Sequence, residues 1–145
     1  MRTKESGFTF LELLLVLSIV AILTMLALPF GGKWMTHQAE EEALQVFIAS
    51  IYKMQSHSLA SGSPTEMTLK YDGAVYIITS YVDGEIGRVE FPEGMRVIST
   101  GSMRRLEFNG NGQIREPGTI AVKMARRTVE IRFQIQYGRM ILYER

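Results

Sequence analysis

The feature that most limits what this chain can become is an uncharged run from Leu13 to Phe30, interrupted only by Ser18, Thr24 and Pro29. Of the 23 positions from 8 to 30, 18 are hydrophobic. As a helix, the run from Leu13 to Phe30 is about 27 Å long, close to the roughly 30 Å hydrocarbon core of a bilayer. A small globular domain has little room to bury such a helix on every side, so the run predicts a membrane span. Arg2 and Lys4 precede it and the next basic residue is Lys33, which predicts a cytoplasmic N-terminus and an extracytoplasmic C-terminal domain. A secretory signal peptide would have a shorter apolar core followed by small residues at the cut. Met25-Leu26-Ala27-Leu28-Pro29-Phe30 makes a poor site of that kind.

Glu12 is the one charge in the apolar region, one helical turn after Phe8. A carboxylate at mid-membrane costs roughly 2.5–3.5 kcal/mol on insertion scales, and less near a helix end. Taken alone, Glu12 reads either as tolerated at headgroup depth or as functional. The stretch Ser6-Gly7-Phe8-Thr9-Phe10-Leu11-Glu12, with the apolar run behind it, resembles the N-terminus of type IV prepilins and type II secretion pseudopilins. That resemblance implies cleavage between Gly7 and Phe8 by a prepilin peptidase, N-methylation of Phe8, and an assembly role for Glu12. Cleavage would leave a cationic amine on Phe8. A carboxylate one turn away, or on a neighbouring subunit, could pair with it at low dielectric and favour one axial register in a filament. Pro29, followed by Gly31-Gly32, reads either as a helix kink or as a simple exit from the membrane.

Beyond Gly32 the helical pattern changes character. Leu44, Phe47, Ile48, Ile51, Met54 and Leu59 recur at spacings of three and four, which predicts an amphipathic helix with one stripe facing a core. Glu40-Glu41-Glu42 reads as its solvated face, and Ser61-Gly62-Ser63-Pro64 as its end. An unbroken helix from Phe8 to Ser61 would be about 80 Å long. From Pro64 the period becomes two, with Met67, Leu69 and Tyr71 alternating against Glu66, Thr68 and Lys70. Asp72-Gly73 and Asp83-Gly84 then mark hairpin turns flanking 74–82 and 86–91. Further strands are predicted at 95–99, 104–109, 119–124, 128–136 and 139–143. The expected architecture is α+β and pilin-like: a leader at 1–7, a membrane helix at 8–30, an amphipathic helix at 31–62, and an antiparallel β domain at 64–145 with one face packed on the helix.

The C-terminal third extends the resemblance. Leu106-Glu107-Phe108-Asn109, Gly112-Gln113-Ile114, Gly118-Thr119-Ile120 and Gly138-Arg139-Met140-Ile141 are similar to the GspH or FimT-like minor pseudopilins. Within that group the compact size, absent cysteine and short tail resemble the ComGD-type competence minor pilins of Gram-positive bacteria. The resemblance implies a subunit of a competence-type pilus needed for assembly and for uptake of extracellular DNA. The alternatives are a minor pseudopilin of a type II secretion system, or a membrane-anchored β domain outside any filament. The implied partners are other pilins, the prepilin peptidase, a membrane assembly platform and, before assembly, membrane lipid. The implied location is the cell membrane, and the cell surface once assembled.

No catalytic constellation or cofactor motif stands out, so the expected function is not enzymatic and involves no cofactor or metal. With no cysteine there is no thiol nucleophile and no Cys-ligated metal. His37 and His57 are the only histidines and sit too far apart on one helix to share a metal. Gly110-Asn111-Gly112 reads as a β-turn, not a phosphate loop. Charge is nearly balanced overall but polarised: residues 1–100 carry 7 basic and 11 acidic side chains, and residues 101–145 carry 9 and 4. In the basic third, Arg104-Arg105 and Arg126-Arg127 are candidate DNA contacts, the second pair at a hairpin tip where both guanidiniums could meet phosphates. The competing reading gives these arginines to solubility and ion pairing.

Overall fold

A computed structural model describes the backbone of residues 9–100, 103, 105–134 and 140–144, and the side chains within these except at 27–36 and 99–100. The expected cleavage and methylation site at Gly7 and Phe8, the side chain of Pro29, and Arg104 therefore lie outside the described residues. The chain divides into two compact units, Met1–Thr36 and His37–Arg145.

In the first unit, helix α1 (Phe10–Ser61) begins. Thr9 caps it: its carbonyl accepts the N–H of Glu12 at 3.0 Å and of Leu13 at 3.2 Å, and its Oγ1 lies 3.4 Å from the Glu12 N–H. Thr9-Phe10-Leu11-Glu12 is thus the Thr-x-x-Glu spacing of a capping box, with Glu12 at the third helical position. From Phe10 to Leu26 large apolar side chains are exposed on all sides of the helix. Ser18 and Thr24, the two hydroxyl residues among them, turn their side chains back onto the carbonyls of Leu15 at 2.8 Å and Val20 at 2.7 Å. Such bonding leaves no side-chain donor facing outward. Among the described residues no helix is long and apolar enough to cross a membrane. The full run from Leu13 to Phe30 extends into positions whose side chains are outside that set.

In the second unit the helix contributes one stripe to the core. Glu40, Leu44, Phe47, Ile51, Met54 and Ser58, alternately four and three residues apart, are each at most 4% exposed. This spacing keeps one line of side chains facing the sheets. Leu59, expected on the stripe, is 58% exposed, and Ser58 takes the buried position one residue earlier. Gly62, with φ of 65°, ends the helix in the left-handed conformation glycine tolerates.

Eight strands follow: β1 (Thr65–Lys70), β2 (Val75–Ser80), β3 (Gly84–Glu90), β4 (Arg96–Thr100), β5 (Leu106–Phe108), β6 (Gly118–Lys123), β7 (Thr128–Phe133) and β8 (Met140–Glu144). Every strand segment expected from the sequence overlaps one of them, with ends that differ by a residue or two at β3, β4, β6 and β8. They form two four-stranded antiparallel sheets, ordered β3-β2-β1-β5 and β4-β6-β7-β8. Phe47 from the helix, Tyr76 from β2 and Phe91 pack ring to ring, with centroids 5.2–5.5 Å apart, at the centre of the core. Met67, Met95, Met103, Val122 and Ile131 extend it between the sheets.

The first hairpin departs from expectation. Tyr71 does not continue the inward alternation of β1; it sits in a 3-10 turn with φ of 51° and is 80% exposed. The cause is Gly73, where a Cβ would fall 1.9 Å from the Val97 carbonyl oxygen. Only glycine lets the turn approach β4 so closely, and the chain must reverse before Tyr71 can point inward. An Asp72–Arg96 ion pair at 2.6 Å fastens the same turn to β4. Gly110 plays a comparable part, since its missing side chain lets the 109–113 turn rest on the Gly62 carbonyl at the helix end.

Candidate functional site

Glu12, the expected assembly residue, lies in the first turn of α1 and is exposed. Its backbone belongs to the helix cap described above, and its carboxylate is available to a partner. A carboxylate in the first helical turn also complements the positive end of the helix dipole. Two properties therefore meet at one residue: a contribution to the start of the helix, and an exposed anion beside the segment where the leader would be removed.

The β6–β7 hairpin places the arginines differently from the sequence reading. The hairpin closes with the Met124 N–H donating to the Arg127 carbonyl at 2.9 Å. Arg126 is exposed at its tip. Arg127 instead folds back, donating to both Glu41 carboxylate oxygens at 2.6 and 2.7 Å and to Glu144 at 2.7 Å. A guanidinium held by two carboxylates is neutralised and has little left for a phosphate. Arg105 is 69% exposed and lies 3.5 Å from Glu66. Of the expected DNA contacts among the described residues, Arg126 alone has no ion pair.

The same geometry corrects the reading of Glu40-Glu41-Glu42 as a solvated face. Glu40 is 2% exposed and accepts the Ala125 N–H at 2.9 Å, while Glu41 holds Arg127. Only Glu42 is exposed, accepting from the Gln38 amide at 3.3 Å. The polarised charge distribution thus has a structural use, because acids early in the chain meet bases late in it. Glu66 and Glu107 stand directly opposite each other on β1 and β5, an arrangement that like charges resist. Arg105 and Arg115 each take one of these carboxylates.

His37 approaches Glu41 at 4.0 Å, and His57 bonds Asp83 at 2.9 Å, tying the end of the helix to the β2–β3 turn. No three His, Cys, Asp or Glu side chains gather as a metal site among the described residues. A cleft of about 310 Å³ opens beside β1, β4 and β6, lined largely by Met67, Leu69, Val97, Met103, Leu106 and Ile120. Periodicity could not reveal it, because its lining is drawn from strands of both sheets. Burial pushes the Tyr76 hydroxyl above its usual pKa, partly offset by its hydrogen bond with Ser50 at 2.9 Å.

Residues 2–28 match the family described as the prokaryotic N-terminal methylation motif. The fold matches that of the minor pseudopilin EpsH from the type 2 secretion system of Vibrio cholerae, with a TM-score of 0.54 over 72% of this chain and 96% of that one. The fold is pilin-like. At 12% identity the likeness to EpsH is one of architecture: a pilin-like helix against antiparallel sheets, as the sequence led one to expect. No curated protein matches the sequence.

Proposed function

We propose that this pilin-like chain is a minor pilin of a competence-type filament that takes up extracellular DNA. In this reading the leader is cut between Gly7 and Phe8 and Phe8 is N-methylated. The apolar half of α1 first holds the subunit in the cell membrane, with the β domain outside. The subunit then passes into a filament with other pilins, driven by a membrane assembly platform. Its work is assembly, not catalysis. The observation that carries the reading is the union of a methylation motif at residues 2–28 with a fold that matches a minor pseudopilin over 72% of the chain. The helix fits the membrane stage, since Ser18 and Thr24 satisfy their hydroxyls within it. Glu12 then guides entry into the filament by pairing with the Phe8 amine.

The competence assignment draws on the GspH- or FimT-like residues of the C-terminal third and the absent cysteine. The likeness to EpsH favours a second reading, a minor pseudopilin of a type II secretion filament.

Intact-mass analysis of the protein extracted from membranes tests the common core. The expected product begins at methylated Phe8, and an unprocessed chain would overturn both readings. Deleting the gene in its source organism separates them. Loss of transformation with protein secretion intact supports the competence filament, and the reverse outcome supports the secretion filament. Glu12→Ala is expected to be processed and yet left out of filaments.

A further inference from the structure

An open sheet ends on two strands whose outer N–H and C=O groups have no neighbour in the ladder. The two sheets have four such edges, and three of them are obstructed. On β3, Ile86 falls at a shift of register, and its carbonyl accepts the Lys53 ammonium at 3.3 Å. On β5, the Glu107 carbonyl accepts the Arg115 N–H at 2.9 Å and Phe108 forms a bridge with Ile114. On β4, the turn at Gly73 is pressed against the Val97 carbonyl. β8 is different. Among the described residues, no backbone bond reaches Met140–Glu144 except those of its ladder with β7.

The open strand is also well formed. Its residues pair with β7 without a break, and Arg127 fastens its end through Glu144. It holds no lysine, proline or bulge, the devices that blunt an edge against pairing. Its core-facing side is unfinished. Leu142 stands opposite Ile131 on the buried face of the sheet, yet it is 46% exposed where Ile131 is 0%. Val97, core-facing on the opposite edge of the same sheet, is 3% exposed. On the outer side, the Arg132 guanidinium lies 4.9 Å from the centre of the Tyr143 ring. Arg132 stands opposite Ile141, so its side chain has crossed from β7 to β8.

We propose that β8 is a docking edge for an extended segment of a separate polypeptide, which adds one more strand to the β4-β6-β7-β8 sheet. The backbone of the added strand takes up the outward N–H and C=O groups of β8. Its side chains alternate. Apolar ones on one side cover Leu142 and Met140 and continue the core. On the other side, a carboxylate opposite Tyr143 meets the Arg132 guanidinium, on a face that carries Arg96, Lys123 and Arg132 against Glu130. The partner is thus a strand that is apolar on one side and acidic on the other. An oligonucleotide offers neither a ladder for the edge nor an apolar row for Leu142. The edge serves either filament reading and does not depend on the choice between them.

The test uses the full chain in detergent and a fluorescein-labelled peptide, Thr-Val-Glu-Val-Glu-Val-Thr, followed by anisotropy and by hydrogen exchange. Binding is expected, with slowed amide exchange within residues 140–144. Proline in place of the central valine removes a donor and should lower affinity about tenfold, as should the same residues rearranged to break the alternation. Leu142→Asp should weaken binding by about tenfold as well. Arg132→Glu should weaken the acidic peptide and strengthen one with lysine at both glutamate positions, an exchange that loss of the fold would not produce. Arg88→Glu on the first sheet should leave binding intact. The proposal is overturned by absent binding at about 1 mM peptide, by equal binding of the proline or rearranged peptide, or by protection confined to residues outside β8. Unchanged binding in Leu142→Asp, a loss in Arg88→Glu equal to that in Arg132→Glu, or an Arg132→Glu effect alike for both peptides would also overturn it. Self-association of the chain that Leu142→Asp dissociates, without peptide binding, would give the edge to a second copy and overturn the separate partner.

Discussion

Replacing Arg127 by alanine separates a structural arginine from a ligand-binding one. Its side chain is 29% exposed and joins Glu41 on the helix to Glu144 on β8. Charge-assisted hydrogen bonds of the Glu41 kind contribute about 1.5–3 kcal/mol, less where water can replace part of the contact, as at a carboxylate 32% exposed. The Glu144 arm, 68% exposed, adds about 0.2–1 kcal/mol. Against this, Arg127 Nε is buried without a partner, and truncation recovers its desolvation, about 1–2 kcal/mol. The net expectation is a loss of about 1 kcal/mol. For a unit the size of His37–Arg145, with about 2.1 cal/mol/K of melting entropy per residue, that lowers Tm by roughly 4 °C. Arg126→Ala, one residue away and exposed, should stay within about 0.5 kcal/mol. Thermal unfolding followed by circular dichroism compares the two directly. Equal melting temperatures for Arg126→Ala and Arg127→Ala would refute the assignment. So would strict additivity of Arg127→Ala and Glu41→Ala, since groups in contact should couple.

Three further outcomes are expected. Gly73→Ala should destabilise the β domain by more than ~2 kcal/mol, measured by denaturant unfolding, because left-handed backbone strain adds to a clash with the Val97 carbonyl. Glu40→Ala should cost about 1–3 kcal/mol by orphaning the Ala125 N–H, and Glu40→Gln, which keeps an acceptor, should cost less in the same assay. The raised pKa of Tyr76 favours its neutral form in the fold. Its contribution to stability is therefore complete below the unfolded value near 10 and declines as pH rises above it. Tyr76→Phe should flatten that alkaline decline in a pH series of melting curves.

What was legible in the sequence was whatever a local period encodes. Period two together with Asp-Gly turn signals marked a segment overlapping each strand, and spacings of three and four picked out Leu44, Phe47, Ile51 and Met54. What escaped were residues whose fate depends on a distant partner. Glu40 and Glu41 look solvated because charge usually is, and only the arrival of Ala125 and Arg127, more than eighty positions later, makes their burial affordable. Tyr71 fits the alternation of β1, and nothing local announces that Gly73 must lie against Val97. At the hairpin tip, Arg126 and Arg127 are indistinguishable in sequence. They diverge because one faces the helix acids and the other faces water.

The buried stripe of α1 has a mechanical consequence. It is anchored at both ends by polar bonds: Glu40 to the Ala125 N–H at one end, and at the other the Thr65 hydroxyl to the Met54 carbonyl and the Gln55 amide to the Gly112 carbonyl. The side chains between them interlock with the sheets. A pull along the helix axis cannot open these contacts one after another; it must shear both anchors and the apolar teeth between them together. Tension applied to the helix is thereby carried into the β domain as a whole.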